Sequence, residues 1–419
     1  MGSAGALVVA NMIGVGVFTT SGFALADLHR PGLVMLAWCV GGLLAMCGAL
    51  SYGALARQIP ISGGEYTLLS RTLHPLAGFL AGWVSLLAGF TAPIAAAGLG
   101  LQAYLAESFG LASRPEWIGT VAILLAGLMH GLRLREGVLL QNLAVGLKLV
   151  AIAVFVGLGV IWMPDVSGSE VPASAVEISA FAVTLVWISF SYSGWNAAVY
   201  VAGEVRDPDR NLHRSLILAT GLVTILYLGL NAVFLYSAPV SELAGKAEVG
   251  AIAAEAIGGP GLRRAISVLV ALALFTSISS MVMAGPRVYA QMAEDGLFPR
   301  LFRGGSEVPG AAVALQVGLA IVVLWSSGLV QLLGYIGFTL GLSAAATVIG
   351  LFVLRRRLGS DRVPIPGYPW IPGVFVVATL SIAAFMLYRE PAQAGLGILT
   401  VGAGLPLYWL LRRSSQAVR

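Results

Sequence analysis

The residues of this chain able to do chemistry are few, and they fall into three places. In Asn11-Met12-Ile13-Gly14-Val15-Gly16-Val17-Phe18, two glycines stand one residue apart inside an apolar run. Each costs a helix about 1 kcal/mol relative to Ala, so the pair predicts an interruption. The amides of Gly14, Val15 and Gly16 would then open a second half-helix, whose positive end suits an anion such as a carboxylate. Glycines so placed also serve to let another helix pack closely, and the sequence leaves both roles open. The second place is Ser189-Phe190-Ser191-Tyr192-Ser193-Gly194-Trp195-Asn196, where small and polar residues crowd another apolar run. The third is Lys148, a single cation deep in a third run.

These clusters need elements to hold them, and the composition says which kind. Of 419 residues, 58% are hydrophobic and 10% charged, against ~25% charged in soluble domains; the mean hydropathy is +0.90. The chain reads as an all-α integral membrane protein of about 12 transmembrane helices, each near the ~20 residues a bilayer needs. The expected spans are 4–26, 32–56, 75–106, 117–131, 136–162, 176–203, 213–237, 262–293, 310–328, 331–354, 370–388 and 394–411. A polar stretch, 57–74, and a loop, 238–261, separate some of them. Span 3 exceeds what a crossing needs and is expected to tilt or project. The first apolar run is too long for a signal peptide and leads straight into a second. No extramembrane stretch is long enough for a soluble domain, which argues against an enzyme.

The formal net charge of +5 reports topology here, not nucleic-acid binding. With the N-terminus inside, the cytoplasmic loops and tail hold most of the arginines, among them Arg57, Arg71, Arg133, Arg206, Arg300, Arg355 and Arg412. The outer loops hold Arg30, Arg114, Lys246, Arg263, Arg264 and Arg389. Both termini are therefore expected on the cytoplasmic side of the cytoplasmic (inner) membrane. Cys39 and Cys47 share one apolar segment, so neither a disulfide framework nor a metal site is expected, and nothing calls for a cofactor.

Spans 1 and 6, five apart, carry the two interruptions. Broken helices at matching places in two halves are the best sequence pointer to a transporter with an inverted repeat. Lys148 lies about twelve residues from either end of span 5, or ~18 Å, beyond the ~15 Å half-thickness of the hydrocarbon. It should face the protein interior, since it cannot snorkel. It can serve as a fixed tether or as a proton site, and the residues alone leave both standing. Arg287 would snorkel or pair locally. Glu204 with Arg57 or Arg71 would form an inner gate or a solvated ion pair.

Motifs along nearly the whole length then support a resemblance. They are Asn11–Phe18, Ile59-Pro60-Ile61-Ser62-Gly63-Gly64-Glu65-Tyr66, Gln141-Asn142 with Lys148, Tyr192–Asn196, Gly203-Glu204-Val205-Arg206-Asp207-Pro208, Arg287-Val288-Tyr289-Ala290, Asp295–Pro299 and Pro366–Trp370. In this order they resemble the amino acid–polyamine–organocation superfamily, and within it the L-type amino acid transporter branch and its bacterial relatives. The resemblance implies a LeuT-like 5+5 inverted repeat: residues 1–162, residues 163–358, then spans 11–12 and the tail at 359–419. It implies a substrate carboxylate at the amides of Gly14, Val15 and Gly16, and a substrate amino group near the carbonyls of Met12, Ile13, Phe190 and Ser193. Phe190 would gate the site, with Gly194, Trp195 and Asn196 beside it. Val15 departs from the usual Ser or Thr and removes a hydroxyl. Lys148 would stand where sodium-coupled relatives bind an ion, tied to Ser277, Ser279 or Ser280. The implied function is sodium-independent transport of neutral L-amino acids by alternating access, with exchange or protons as coupling and no obligate protein partner. A sodium-coupled transporter of amino acids or related amines and organocations, a channel and a sensor are the rival readings.

Overall fold

The computed structural model describes residues 2–110, 116–131, 137–164, 177–205, 207–303, 310–360, 362–365 and 367–416, and every regular element among them is helical. Ten helices among the described residues are long and apolar enough to cross a membrane; two shorter apolar ones, Glu116–Gly131 and Gly310–Ser326, lie at expected spans 4 and 9.

Span 1 is two helices, α1 (Gly2–Met12) and α2 (Val15–Leu28), parted at Ile13-Gly14. α3 (Pro31–Gln58) starts on a proline, where a missing N–H costs nothing. The polar stretch after it forms α4 (Gly64–Thr72). Span 3 is not one regular helix, as the sequence reading has it. α5 (Pro75–Val84) runs into a π-helical stretch, Ser85–Thr91, and then α6 (Ala92–Phe109). Pro93 is the reason: it brings no N–H to the ladder, and the Ala92 amide reaches back to Leu87 O, one residue further than in an α-helix. π-helical turns of this kind recur at functional sites, and Gly89 and Phe90 of this one line the cavity described below.

α7 (Glu116–Gly131) and α8 (Gly137–Trp162) complete the first half. Span 6 is again interrupted: α9 (Ile178–Tyr192) ends, a turn follows, and a 3-10 helix takes up at Ala197–Glu204. α10 (Pro208–Tyr236) leads to the short α11 (Val240–Leu243) and the long α12 (Val249–Glu294). The expected loop 238–261 is thus largely helical. It reads as loop because Gly258 and Gly259 leave helical geometry just before Pro260, yet Val249, Ala251, Ala253 and Ala254 are buried. Burying that face folds the segment onto the bundle. α13 (Gly310–Ser326), α14 (Leu329–Leu358), α15 (Trp370–Arg389) and α16 (Pro391–Gln416) finish the chain.

The folded-down segment caps one face. The Gly245 amide donates to Gly22 O (2.8 Å), and a Cβ on Gly22 would fall 1.9 Å from Lys246 O. Tyr104 donates to Phe18 O (2.7 Å) and accepts from the Gly250 amide (3.2 Å). The far end of α2 is therefore plugged. The cavity described below reaches instead to Gln291 and the exposed Glu294, at the C-terminal end of α12.

Candidate functional site

The two interruptions meet. α2 packs on α9 so closely that a Cβ on Gly16 would sit 2.5 Å from Ser191 Cα. Thr20 and Ser191 hydroxyls share a hydrogen bond there (2.9 Å). Gly14 differs: a Cβ on it would find its nearest neighbours at 3.9 Å and beyond, and its backbone is extended (φ −127, ψ −159), open to any residue. The two glycines thus divide the two roles the sequence left open. Gly16 serves close packing, and Gly14 borders open space.

That space is a cavity of about 480 Å³, inside the ~300–1,000 Å³ range of small-molecule sites. Its wall includes Met12, Gly14, Val15 and Gly16 from the first break and Phe190, Ser193, Gly194, Trp195 and Asn196 from the second. It continues past Ser62, Gly63 and Glu65 to Arg287, Gln291 and Glu294. Arg287 is exposed at this mouth.

Backbone bonding at the first break decides what is free. The Gly14 amide donates to Met12 O (2.8 Å). The amides of Val15 and Gly16 open α2, and no carbonyl of their own helix can reach them. The Val15 side chain fits beside Gly100, whose Cβ would lie 2.5 Å from Val15 Cγ2. Ile13 is fully buried; its contribution is its carbonyl. Lys148 Nζ donates to Ile13 O (2.9 Å) and to Ser277 Oγ (3.3 Å), and the Ser277 hydroxyl lies 3.1 Å from Ile13 O. Lys148 is 4% exposed. Ser279 instead bonds His130 Nε2 (2.8 Å), and Ser280 Oγ is buried without a partner among the described residues.

At the second break the Ser193 amide closes on Phe190 O (2.8 Å). Gly194 turns the chain at φ +97, a left-handed conformation that favours glycine, and a Cβ there would strike Asn11 C at 2.7 Å. Trp195 packs its ring edge-on to Tyr52 (4.6 Å between centroids) and over Gly48, so it anchors the turn to α3.

Two residues enter that the sequence reading did not single out. Tyr227 of α10, fully buried, presents its hydroxyl to Met12 O and to Ser191 O (3.0 Å), bridging the breaks. A polar pair one turn apart in an apolar span, Tyr227 and Asn231, was the available signal. Glu65, present in the sequence only as part of the motif Ile59–Tyr66, brings a buried carboxylate to the second break. Its Oε1 accepts from Tyr52 (2.6 Å) and Asn196 (3.1 Å), and its Oε2 from Ser343 (3.0 Å). Burial pushes its carboxyl above the ordinary glutamate range, against those three donors, which pull it down. Next to it, Tyr66 donates to the Asp295 carboxylate, joining two of the sequence motifs.

The proposed inner gate is not assembled from what is described. Arg57 and Arg71 make no ion pair among the described residues, and the Glu204 side chain, like Arg133, Arg206 and the side chains of Gln141 and Asn142, lies outside them.

Two interrupted helices walling one cavity at the centre of a bundle of membrane-length helices define a secondary transporter. The chain belongs to the amino acid permease family, whose pattern it matches over residues 2–409. It is 27% identical to the serine/threonine exchanger SteT of Bacillus subtilis, with 97% of this chain and 95% of that one aligned. It is 26% identical to the human large neutral amino acids transporter small subunit 2 (97% and 79% aligned) and to the mouse Asc-type amino acid transporter 1 (97% and 80%).

Proposed function

We propose that this permease exchanges neutral L-amino acids across the cytoplasmic membrane by alternating access, without sodium, with both termini cytoplasmic. Residues 1–162 and 163–358 form the two inverted repeats, and 359–419 lies outside them. The observation that carries this reading is the first break. The amides of Val15 and Gly16, without a partner among the described residues, border a cavity that Gly14 leaves open, and a carboxylate there completes two hydrogen bonds the helix cannot make. Phe190, Ser193 and Gly194 then face the side chain. The charged groups of the cavity wall are Glu65, whose oxygens are taken by its three donors, and Arg287 and Glu294, both exposed. A neutral side chain fits such a wall, and the relatives' names, a serine/threonine exchanger and a large neutral amino acids transporter, agree. Ser193 narrows the site toward small and medium side chains such as those of Ala, Ser, Thr, Met or Leu.

Lys148 supports the absence of sodium. Its ammonium sits on the Ile13 carbonyl freed by the break, and a second cation there would be repelled. It ties the first break to α8 and, through Ser277, to α12. The open mouth lies on the arginine-rich face, the cytoplasmic one by the positive-inside rule.

The test is exchange of labelled amino acid in proteoliposomes, with the common amino acids as competitors and sodium replaced by choline. Competition by small neutral amino acids and indifference to sodium are expected. Arginine or glutamate as best competitor, or strong sodium dependence, refutes the reading. Binding without exchange makes the protein a sensor.

A further inference from the structure

Among the described residues Glu65 is the one buried carboxylate in the cavity wall, and the transport reading above does not use it. It is 3% exposed, stands on α4 between two membrane spans, and has no ion-pair partner among the described residues. Its three hydrogen bonds reach three other elements. Tyr52 belongs to α3, Ser343 to α14, and Asn196 is the last residue of the turn at the second break. The ionisable neighbours are the phenols of Tyr52 and Tyr200. α5, which packs along α4, has no ionisable side chain.

The donors are unequal in what they allow. The Asn196 amide nitrogen can only donate, whereas the Tyr52 and Ser343 hydroxyls can donate or accept. A proton on Oε2 is accommodated by turning the Ser343 hydroxyl so that it accepts. Oε1 would then still receive Tyr52 and Asn196, but as the oxygen of a neutral acid. A charge-assisted hydrogen bond is about twice as strong as a neutral one. The hold on Asn196 therefore depends on the charge of Glu65, while the shape of the cluster does not.

We propose that Glu65 is a pH-responsive positioning residue of the transport site: ionised, it fixes Asn196 and with it the second break; protonated from the arginine-rich side, it slackens that hold and weakens substrate binding. This rests on the transport reading above. Burial sets the transition above the ordinary glutamate range, so the ionised form, and the tighter site, is present above the raised value and is lost as pH falls through it.

The experiment measures the apparent affinity for alanine in proteoliposomes, varying the pH of the arginine-rich side from about 5 to 8. Wild type should weaken about fivefold on acidification, the loss of roughly half a charge-assisted hydrogen bond. Glu65→Gln keeps the shape, with its amide donating to Ser343, and should show the weaker affinity at every pH. Ser343→Ala removes a donor to the carboxylate and should move the transition to higher pH. A pH-indifferent wild type, an acid response retained in Glu65→Gln, or an unmoved transition in Ser343→Ala overturns the proposal. Should Glu65→Gln fail to fold, the shift in Ser343→Ala decides. A wild type that exchanges no amino acid at any pH refutes the transport reading itself.

Discussion

Alanine at Gly14 and at Gly16 should give opposite phenotypes, although the two positions are one residue apart. At Gly16 the new Cβ would lie 2.5 Å from Ser191 Cα, and ordinary contact begins at 3.4 Å, so α2 and α9 must part by 3.4 − 2.5 = 0.9 Å. The obstacle is backbone, which cannot swing aside, and overpacking of this sort costs about 1–3 kcal/mol. Gly16→Ala should lower the thermal unfolding temperature. At Gly14 the Cβ meets nothing nearer than 3.9 Å, and the extended backbone there accepts any residue. Gly14→Ala should be as stable as wild type or firmer by about 0.4–1 kcal/mol, because the unfolded chain loses freedom. Its methyl group, however, stands in the cavity beside the Val15 and Gly16 amides. Loss of one hydrogen bond to a carboxylate, about 1.5–3 kcal/mol, weakens apparent affinity by about tenfold or more. Thermal unfolding of the purified proteins and alanine exchange in proteoliposomes at matched incorporation read the two effects apart. Gly14→Ala with wild-type affinity refutes the placement of the carboxylate. Gly16→Ala with wild-type stability refutes the packing argument.

Two further substitutions test the ties to the first break. Lys148→Ala should fold, since α8 tolerates alanine, but removing the charge-assisted bond to Ile13 O, about 1.5–3 kcal/mol, should lower exchange about tenfold or more; a fully active variant sinks the tether. Tyr227→Phe keeps the ring packed among Trp38 and Tyr192 and removes only the bridge between Met12 O and Ser191 O. It should cost about 1 kcal/mol of stability and weaken affinity, and a variant unchanged in both would show that the bridge is idle.

What was legible in the sequence had a local cause. Hydropathy and span length mark the membrane helices, and Gly14 and Gly194 mark the two breaks because glycine weakens a helix locally, although the neighbouring Gly16 stays inside α2 and serves packing. The folded-down helical segment before Gly258 escaped because its glycines and Pro260 are local signals of a loop, while the burial of Val249 and Ala251 that folds it down is a tertiary effect. The π-helical turn escaped for a milder reason: Pro93 was visible, but whether it kinks, ends or widens a helix depends on what packs against it.

The polar network was the least legible part, and physics gives the reason. In an apolar bundle each buried polar group must find a partner, yet the partner's place in the chain is set only by the fold. Asn196 and Glu65 lie 131 residues apart, Tyr227 and Met12 lie 215 apart, and Lys148 and Ile13 lie 135 apart. A depth argument shows that Lys148 must face inward, and stops there. The pairings themselves explain why the breaks persist. Met12 O and Ile13 O are freed by the interruption of span 1 and then taken by Tyr227 and Lys148, so the cost of the break is offset from two neighbouring helices. The Val15 and Gly16 amides beside the cavity have no partner among the described residues. On this reasoning the interruption is stabilised on its carbonyl side by the protein and on its amide side by the substrate, so a carboxylate held there completes the hydrogen bonding of the break.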